Sequence, residues 1–114
     1  MSNDSRRTQR RNVHEPVMVV DNMTEQVIGR LGNISESGML LVANAPLVED
    51  ALYQLRFEIT ERSGRATAID VGAHLIWVGS AHTPGQSWAG LRFLTIEESQ
   101  LAVLRQWIAR PQAR

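Results

Sequence analysis

Arginine side chains are concentrated near the start of the chain. The segment Arg6-Arg7-Thr8-Gln9-Arg10-Arg11 contains two pairs with the spacing Arg-x-x-x-Arg, Arg6 with Arg10 and Arg7 with Arg11. A guanidinium group keeps its positive charge and presents a planar fork of donors, so it binds a phosphate, or the O6/N7 edge of guanine, through two parallel hydrogen bonds. The segment therefore predicts an anion-binding site to which two guanidinium groups contribute.

A second polar segment, Asn33-Ile34-Ser35-Glu36-Ser37-Gly38, follows about twenty residues later between two apolar stretches. The Asn33 amide can pair with a guanine edge, and the Ser35 hydroxyl can bond to a phosphate or a base. Gly38 permits either a close backbone approach or a positive φ angle. Taken alone, the segment is also typical of a turn whose side chains bond to their own backbone. Its combination with the arginine segment favours ligand binding.

The order Arg-x-x-x-Arg, then Asp/Asn-x-Ser-x-x-Gly, then a small β-rich domain resembles the PilZ family, bacterial receptors for the dinucleotide messenger cyclic di-GMP. The resemblance covers nearly the whole chain, with Asn33 at a position where Asp is commoner in the family. It implies cyclic di-GMP as the ligand and no cofactor. The binding residues that it implies are Arg6, Arg7, Arg10, Arg11, Asn33, Ser35 and Gly38. Which arginine pair is used stays open, because both pairs have the required spacing.

Trp77 is a further candidate, since in this family a bulky side chain on a barrel strand often packs against a guanine. The alternation of its strand suggests a different position. Trp77 has the same parity as Ile69 and Leu75, so the pattern favours the core unless a bulge at Gly72 shifts the register. Trp88 and Arg92 share one face of a later strand and could border the ligand, but a solvated or packed face is the preferred interpretation.

The residues between these motifs alternate between apolar and polar types, which predicts strands. Six strands are expected, over residues 16–20, 25–31, 38–43, 53–59, 67–77 and 89–93. A helix should follow, because Leu101, Leu104 and Ile108 recur at helical spacing and Thr95-Ile96-Glu97-Glu98 fits a capping box. We expect this helix to run to about Ala109, before Pro111.

Short strands at this spacing predict an antiparallel barrel or sandwich. The resemblance implies the first of these, an all-β domain with a six-stranded antiparallel barrel and a C-terminal helix. Residues 16–110 are expected to form this domain. Residues 1–15 contain few apolar side chains, so we expect them to be a flexible arginine-rich arm.

Composition narrows the function classes. The chain has 114 residues, enough for one domain, and contains no Cys, which excludes disulfides and thiolate chemistry. No apolar run has membrane-spanning length and no signal-peptide core is present, so we expect a cytoplasmic protein without membrane insertion. The three His residues are not at metal-ligand spacing with one another, and no nucleophile elbow or phosphate loop occurs. We therefore expect neither an enzyme nor a metal site.

Three functions remain as hypotheses. The first is a cyclic di-GMP receptor that orders its arm on ligand binding and signals to an unidentified protein partner. The second is a PilZ-type adaptor that does not bind nucleotide. The third is a small barrel that binds nucleic acid through its arginine arm, but an aromatic content of 5% and a formal net charge of zero argue against it.

Overall fold

The computed structural model describes residues 9–111, which form seven strands and one helix. The strands are β1 (Arg11–Asn12), β2 (Met18–Asp21), β3 (Gln26–Ser35), β4 (Gly38–Ala43), β5 (Leu52–Thr60), β6 (Ala66–Ser80) and β7 (Ser87–Ile96). The helix, α1, is Glu98–Ala109.

The strands β2 to β7 close into a six-stranded antiparallel barrel. The hydrogen-bonded order is β1-β3-β2-β5-β6-β7-β4, and β4 also pairs with β3, which closes the ring. The expected barrel with a C-terminal helix is thereby confirmed. The two-residue strand β1 lies outside the ring and pairs with the end of β3, with Arg11 opposite Ile34 and Asn12 opposite Asn33. Its polar sequence gave no strand signal.

Alternation along the strands builds the core. Leu55, Phe57 and Ile59 on β5 are buried, while the residues between them are exposed. Helix α1 packs against the barrel with Leu104, Trp107 and Ile108, which are all buried. This confirms the apolar face that the helical spacing predicted.

The start of the helix differs from the expected capping box. The N-cap residue is Glu97, and its side chain makes no capping hydrogen bond. The strand β7 continues to Ile96, where Gly72 is paired with Thr95 and Val71 with Ile96. Pairing with β6 thus holds Thr95 in extended backbone, so it does not cap the helix. The predicted end of the helix at Ala109 is confirmed.

The pairing of β6 with β7 has two register shifts, one between Gly72 and Ala73 and the other between Leu75 and Trp77. At the first shift the extra residue is Leu94 on β7, so the bulge considered at Gly72 does not change the alternation of β6, where Val71, Ala73 and Leu75 are all buried. The second places Trp77 opposite Gly90, and the Trp77 side chain is 44% exposed. The core position that parity favoured for Trp77 is therefore wrong, because a bulge inserts a residue and reverses the face of those beyond it.

Candidate functional site

An open groove of about 430 Å³ lies on the outer surface of the barrel beside β4, β6 and β7. Its lining includes Arg10 and Arg92, Trp77, and the polar residues Asn33 and Ser37. None of the described residues that line the groove is acidic. The groove is therefore locally positive in a chain with a formal net charge of zero, which suits an anion that also carries a planar group.

The arm and the Asn33–Gly38 segment meet at this groove. The pairing of β1 with β3 brings the chain next to Asn33, and Arg10 Nη1 donates a hydrogen bond of 2.5 Å to Asn33 Oδ1. Because the bond uses only one edge of the guanidinium group and one atom of the amide, both side chains retain donors that can bind a ligand. The two sequence motifs thus form one surface.

Arg11 points the opposite way and is 6% exposed. Its Nη1 donates to the carbonyl oxygens of Trp107, at 3.2 Å, and Arg110, at 3.1 Å. Its guanidinium carbon lies 4.3 Å from the centre of the Trp107 ring, and its Nη2 lies 3.3 Å from Glu15 Oε2. Helix α1 has no basic residue in its last turn, so Arg11 supplies the cation that the carbonyl end of a helix favours.

The opposite directions of Arg10 and Arg11 bear on the choice of arginine pair. Neighbouring residues of an extended chain point to opposite sides, and here Arg10 lines the groove while Arg11 is buried against α1. This favours the pair Arg6 and Arg10 over the pair Arg7 and Arg11. Arg6 and Arg7 lie outside the residues that the structure describes.

Ser35 is buried beside the turn at Glu36 and Ser37, and it does not line the groove. It is fully buried, and its Oγ accepts a hydrogen bond from the Ser37 backbone N–H at 3.2 Å and lies 3.1 Å from Ser37 Oγ. The serine that lines the groove is Ser37. A ligand contact was expected from Ser35, but its position instead suits a role in orienting Ser37 and the turn.

Gly38 lines the groove and is opposite Arg92 in the pairing of β4 with β7. A Cβ atom on Gly38 would lie 3.4 Å from the Arg92 Cα and much closer to the Leu91 carbonyl oxygen. Of the two roles that the sequence left open, the structure favours close backbone approach, because Gly38 is not among the glycines with a positive φ angle.

Arg92 is the groove residue that sequence interpretation assigned to a solvated or packed face. It is opposite Gly38 on β4 and His74 on β6, and these pairings bring it to the groove. The alternation of β7 does predict that Arg92 points outward, since Leu91 is buried. It does not predict which strands lie on either side, and those neighbours form the site.

An ion pair connects the turn to the helix. Arg105 Nε on α1 donates to Glu36 Oε1 at 2.5 Å, and both side chains are largely exposed. Such a pair stabilises a fold by only about 0–1 kcal/mol. Together with Arg11, it means that α1 contacts both the arm and the turn that meet at the groove.

A second cleft of about 460 Å³ lies between the turn after β5 and helix α1, with Glu61, Arg62, Gln106 and Trp107 among its lining residues. It contains a carboxylate and none of the motif residues. Its size is similar to that of the groove, so the chemistry of the lining decides between them, and the groove has the better composition for an anion.

Residues 9–111 contain neither a candidate metal-binding cluster nor a candidate membrane-spanning helix. No group of three or more His, Cys, Asp or Glu side chains in this range is arranged to hold a metal ion. No helix in the same range is long and apolar enough to cross a membrane.

The PilZ domain family model matches residues 4–110. This chain belongs to the PilZ family. The expected family membership is confirmed, since the match covers nearly the whole sequence. No curated protein matches the sequence significantly.

Two solved structures have the fold of this PilZ domain. The Bacillus subtilis inhibitor of motility, MotI/DgrA, is similar with a TM-score of 0.74 at 16% identity, over 95% of this chain and 50% of that one. YcgR from Escherichia coli, solved in complex with c-di-GMP, is similar with a TM-score of 0.64 at 20% identity, over 87% of this chain and 42% of that one. The chain thus spans about half the length of these proteins or less, and at these identities the likeness concerns the fold.

The two neighbouring arginines are expected to respond differently to the same substitution. Arg11→Lys keeps the charge but removes the flat group that stacks on Trp107 and bonds to two carbonyls, so we expect the free energy of unfolding to fall by about 1–3 kcal/mol. Arg10→Lys, on the exposed side, should change it by less than about 0.5 kcal/mol. Urea unfolding measures both. Equal effects would contradict the assignment of Arg11 to the core.

The ion pair of Glu15 with Arg11 makes a pH-dependent contribution to stability. Burial raises the pKa of the Glu15 carboxyl, but the backbone N–H groups of Glu15 and His14 and the Arg11 guanidinium together outweigh it and lower the pKa below its ordinary value of 4.5. The carboxylate therefore stabilises the fold above pH 4.5, and this contribution is lost as the pH falls through the lowered pKa.

We expect Glu15→Gln to lower the thermal midpoint at neutral pH and the difference from the wild type to vanish in acid. The exposed Glu58, changed to Gln, is the control for loss of a surface carboxylate. Because Glu15 is itself 45% exposed, the effect should be about 1 kcal/mol or less. A difference that is the same at neutral and acid pH would show that the charge of Glu15 is not responsible.

Proposed function

We propose that this PilZ domain is a bacterial cytoplasmic receptor for cyclic di-GMP. The observation that carries the proposal is the meeting of Arg10, Asn33, Arg92 and Trp77 in one groove whose described lining has no carboxylate. The complex of YcgR with c-di-GMP supports the same ligand, since that protein has the same fold.

The groups in the groove match the chemistry of this ligand. Cyclic di-GMP has two phosphates and two guanines, and a guanidinium group can fork onto either one. Arg10 and Arg92 are the described arginines of the groove, and we propose that Arg6 completes the pair with Arg10. The exposed Trp77 ring offers a flat apolar surface on which a guanine can stack.

The second step of the proposal concerns the arm, residues 1–15. Arg11 anchors β1 to α1, and we propose that the residues before it become ordered over the groove when the ligand binds. Contacts between the ligand and the arginines form only when the arm lies over the groove, so they lower the free energy of that conformation alone. Binding therefore shifts the population toward the conformation with the arm over the groove. We propose that the resulting surface of arm, nucleotide and barrel is what an unidentified protein partner recognises.

This function requires no catalysis, cofactor, nucleic acid or membrane insertion, and we propose none. The alternative is a PilZ-type adaptor that contacts its partner without nucleotide. The positive lining of the groove favours the receptor, because an adaptor has no need of two arginines beside an exposed indole. Titration with the ligand separates the two functions.

Calorimetric titration should give a dissociation constant in the micromolar range or tighter for cyclic di-GMP, with much weaker binding of GTP and GMP. Arg10→Lys should weaken binding by about tenfold or more, since a charged bidentate contact contributes about 1.5–3 kcal/mol. Arg56→Lys is the control, because Arg56 is exposed on β5 and paired with Asp70. Higher salt should also weaken binding.

Absence of heat up to millimolar cyclic di-GMP would overturn the receptor function and leave the adaptor. A loss in Arg56→Lys as large as that in Arg10→Lys would indicate diffuse electrostatic attraction and would contradict a defined site at the groove.

Limited trypsin digestion tests the arm. We expect cleavage after Arg6 and Arg7 to slow on adding cyclic di-GMP and to stay unchanged with GTP, because only the dinucleotide supplies the contacts that order the arm. Cleavage after Arg62 and Arg65, which are exposed at the turn between β5 and β6, provides an internal control and should not change. An arm that resists cleavage without ligand, or is cut equally fast at saturation, would contradict the ordering step.

A further inference from the structure

The Trp77 ring lies against the backbone of two glycines. A Cβ atom on Gly90 would be 2.7 Å from Trp77 Cε2, 3.0 Å from Cδ1 and closer still to Nε1. A Cβ atom on Gly79 would be 3.4 Å from Cζ3 and 3.8 Å from Cε3 of the same ring. The indole therefore extends along the outer surface with its five-membered ring on Gly90 and its six-membered ring at Gly79.

The surroundings of Gly90 differ from those of Gly29 and Gly38. At Gly29 and Gly38, the three atoms nearest to an added Cβ all belong to the backbone of the neighbouring strand. At Gly90 all three belong to the Trp77 side chain. Gly29 and Gly38 thus permit strands to approach, whereas Gly90 makes room for a ring.

The space that Gly90 leaves beside its backbone determines the orientation of the otherwise exposed Trp77 side chain. Trp77 is 44% exposed, and a tryptophan held only at its Cα would exchange among several rotamers. Gly90 is opposite Trp77 on one side and Leu40 on the other, and both line the groove. A ring fixed flat on Gly90 presents a constant surface to whatever binds there.

We infer that Gly90 is a positioning residue of the ligand site, which sets the plane of the Trp77 indole and thereby the surface on which a purine base stacks. The inference rests on the proposed function. It assigns to Gly90 no contact with the ligand, because its effect is transmitted through the ring. Any side chain at position 90 displaces the indole from β7.

The substitution Gly90→Ala tests the inference, and Gly79→Ala is its matched control. Both add one methyl group beneath the same ring, but at Gly79 the new atom is at ordinary van der Waals distance. We expect Gly90→Ala to shift the Trp77 indole N–H resonance in a ¹H–¹⁵N spectrum and to weaken cyclic di-GMP binding by about tenfold, the scale of one lost base–aromatic stack. Gly79→Ala should do neither.

A double substitution shows whether Gly90→Ala weakens binding through the Trp77 ring. In a Trp77→Ala background, Gly90→Ala should change the dissociation constant by less than about twofold, since the group through which it acts is gone. A further loss as large as in the wild-type background would overturn the inference. So would an unshifted indole resonance in Gly90→Ala. If Gly90→Ala does not fold, the double variant should fold, and its failure to do so would equally overturn the inference.

The indole resonance keeps this test separate from the proposed function. If wild-type protein does not bind cyclic di-GMP, the receptor function fails. The resonance of Trp77, assigned by its absence in Trp77→Phe, still reports whether Gly90 sets the ring. If the wild type binds and the resonance shifts but binding is unchanged, the ring is positioned by Gly90 without consequence for the ligand, and the inference is overturned.

Discussion

The pairing of β3 with three other strands is the constraint on which the barrel and the groove both depend. One edge of β3 pairs with β2 and then with β1, and the other edge pairs with β4 and closes the ring. Closure satisfies the backbone groups that an open sheet would leave exposed. The same ten-residue strand ends in Asn33 and Ser35, so the strand that closes the barrel also carries the polar residues of the site.

Arg10 and Arg11 have different surroundings because of a second constraint, the alternation of side chains along an extended chain. Burial of a charged group is unfavourable unless it gains partners, and Arg11 gains two carbonyls, a carboxylate and an aromatic ring. Once Arg11 has this position, Arg10 must face outward beside Asn33. The burial of Arg11 therefore determines the side to which Arg10 points.

The elements formed by regular patterns were predictable from sequence. The six strands and the end of the helix follow from alternation and helical period, and Arg10, Asn33 and Gly38 follow from the motifs. Other features depend on contacts between distant residues. Trp77 faces outward because of a register shift, which alternation alone does not reveal, and Arg92 reaches the groove through its strand neighbours. The burial of Ser35 depends on how the turn folds back on itself.

The contact of Arg11 with Trp107 joins residues 96 positions apart in the chain. Contacts that close such long loops form late in folding, because the entropy of loop closure opposes them until nearer contacts exist. The buried position of Arg11 therefore requires that α1 has docked on the barrel. A chain with a formed barrel but an undocked helix would lack the carbonyl and aromatic partners that keep Arg11 buried.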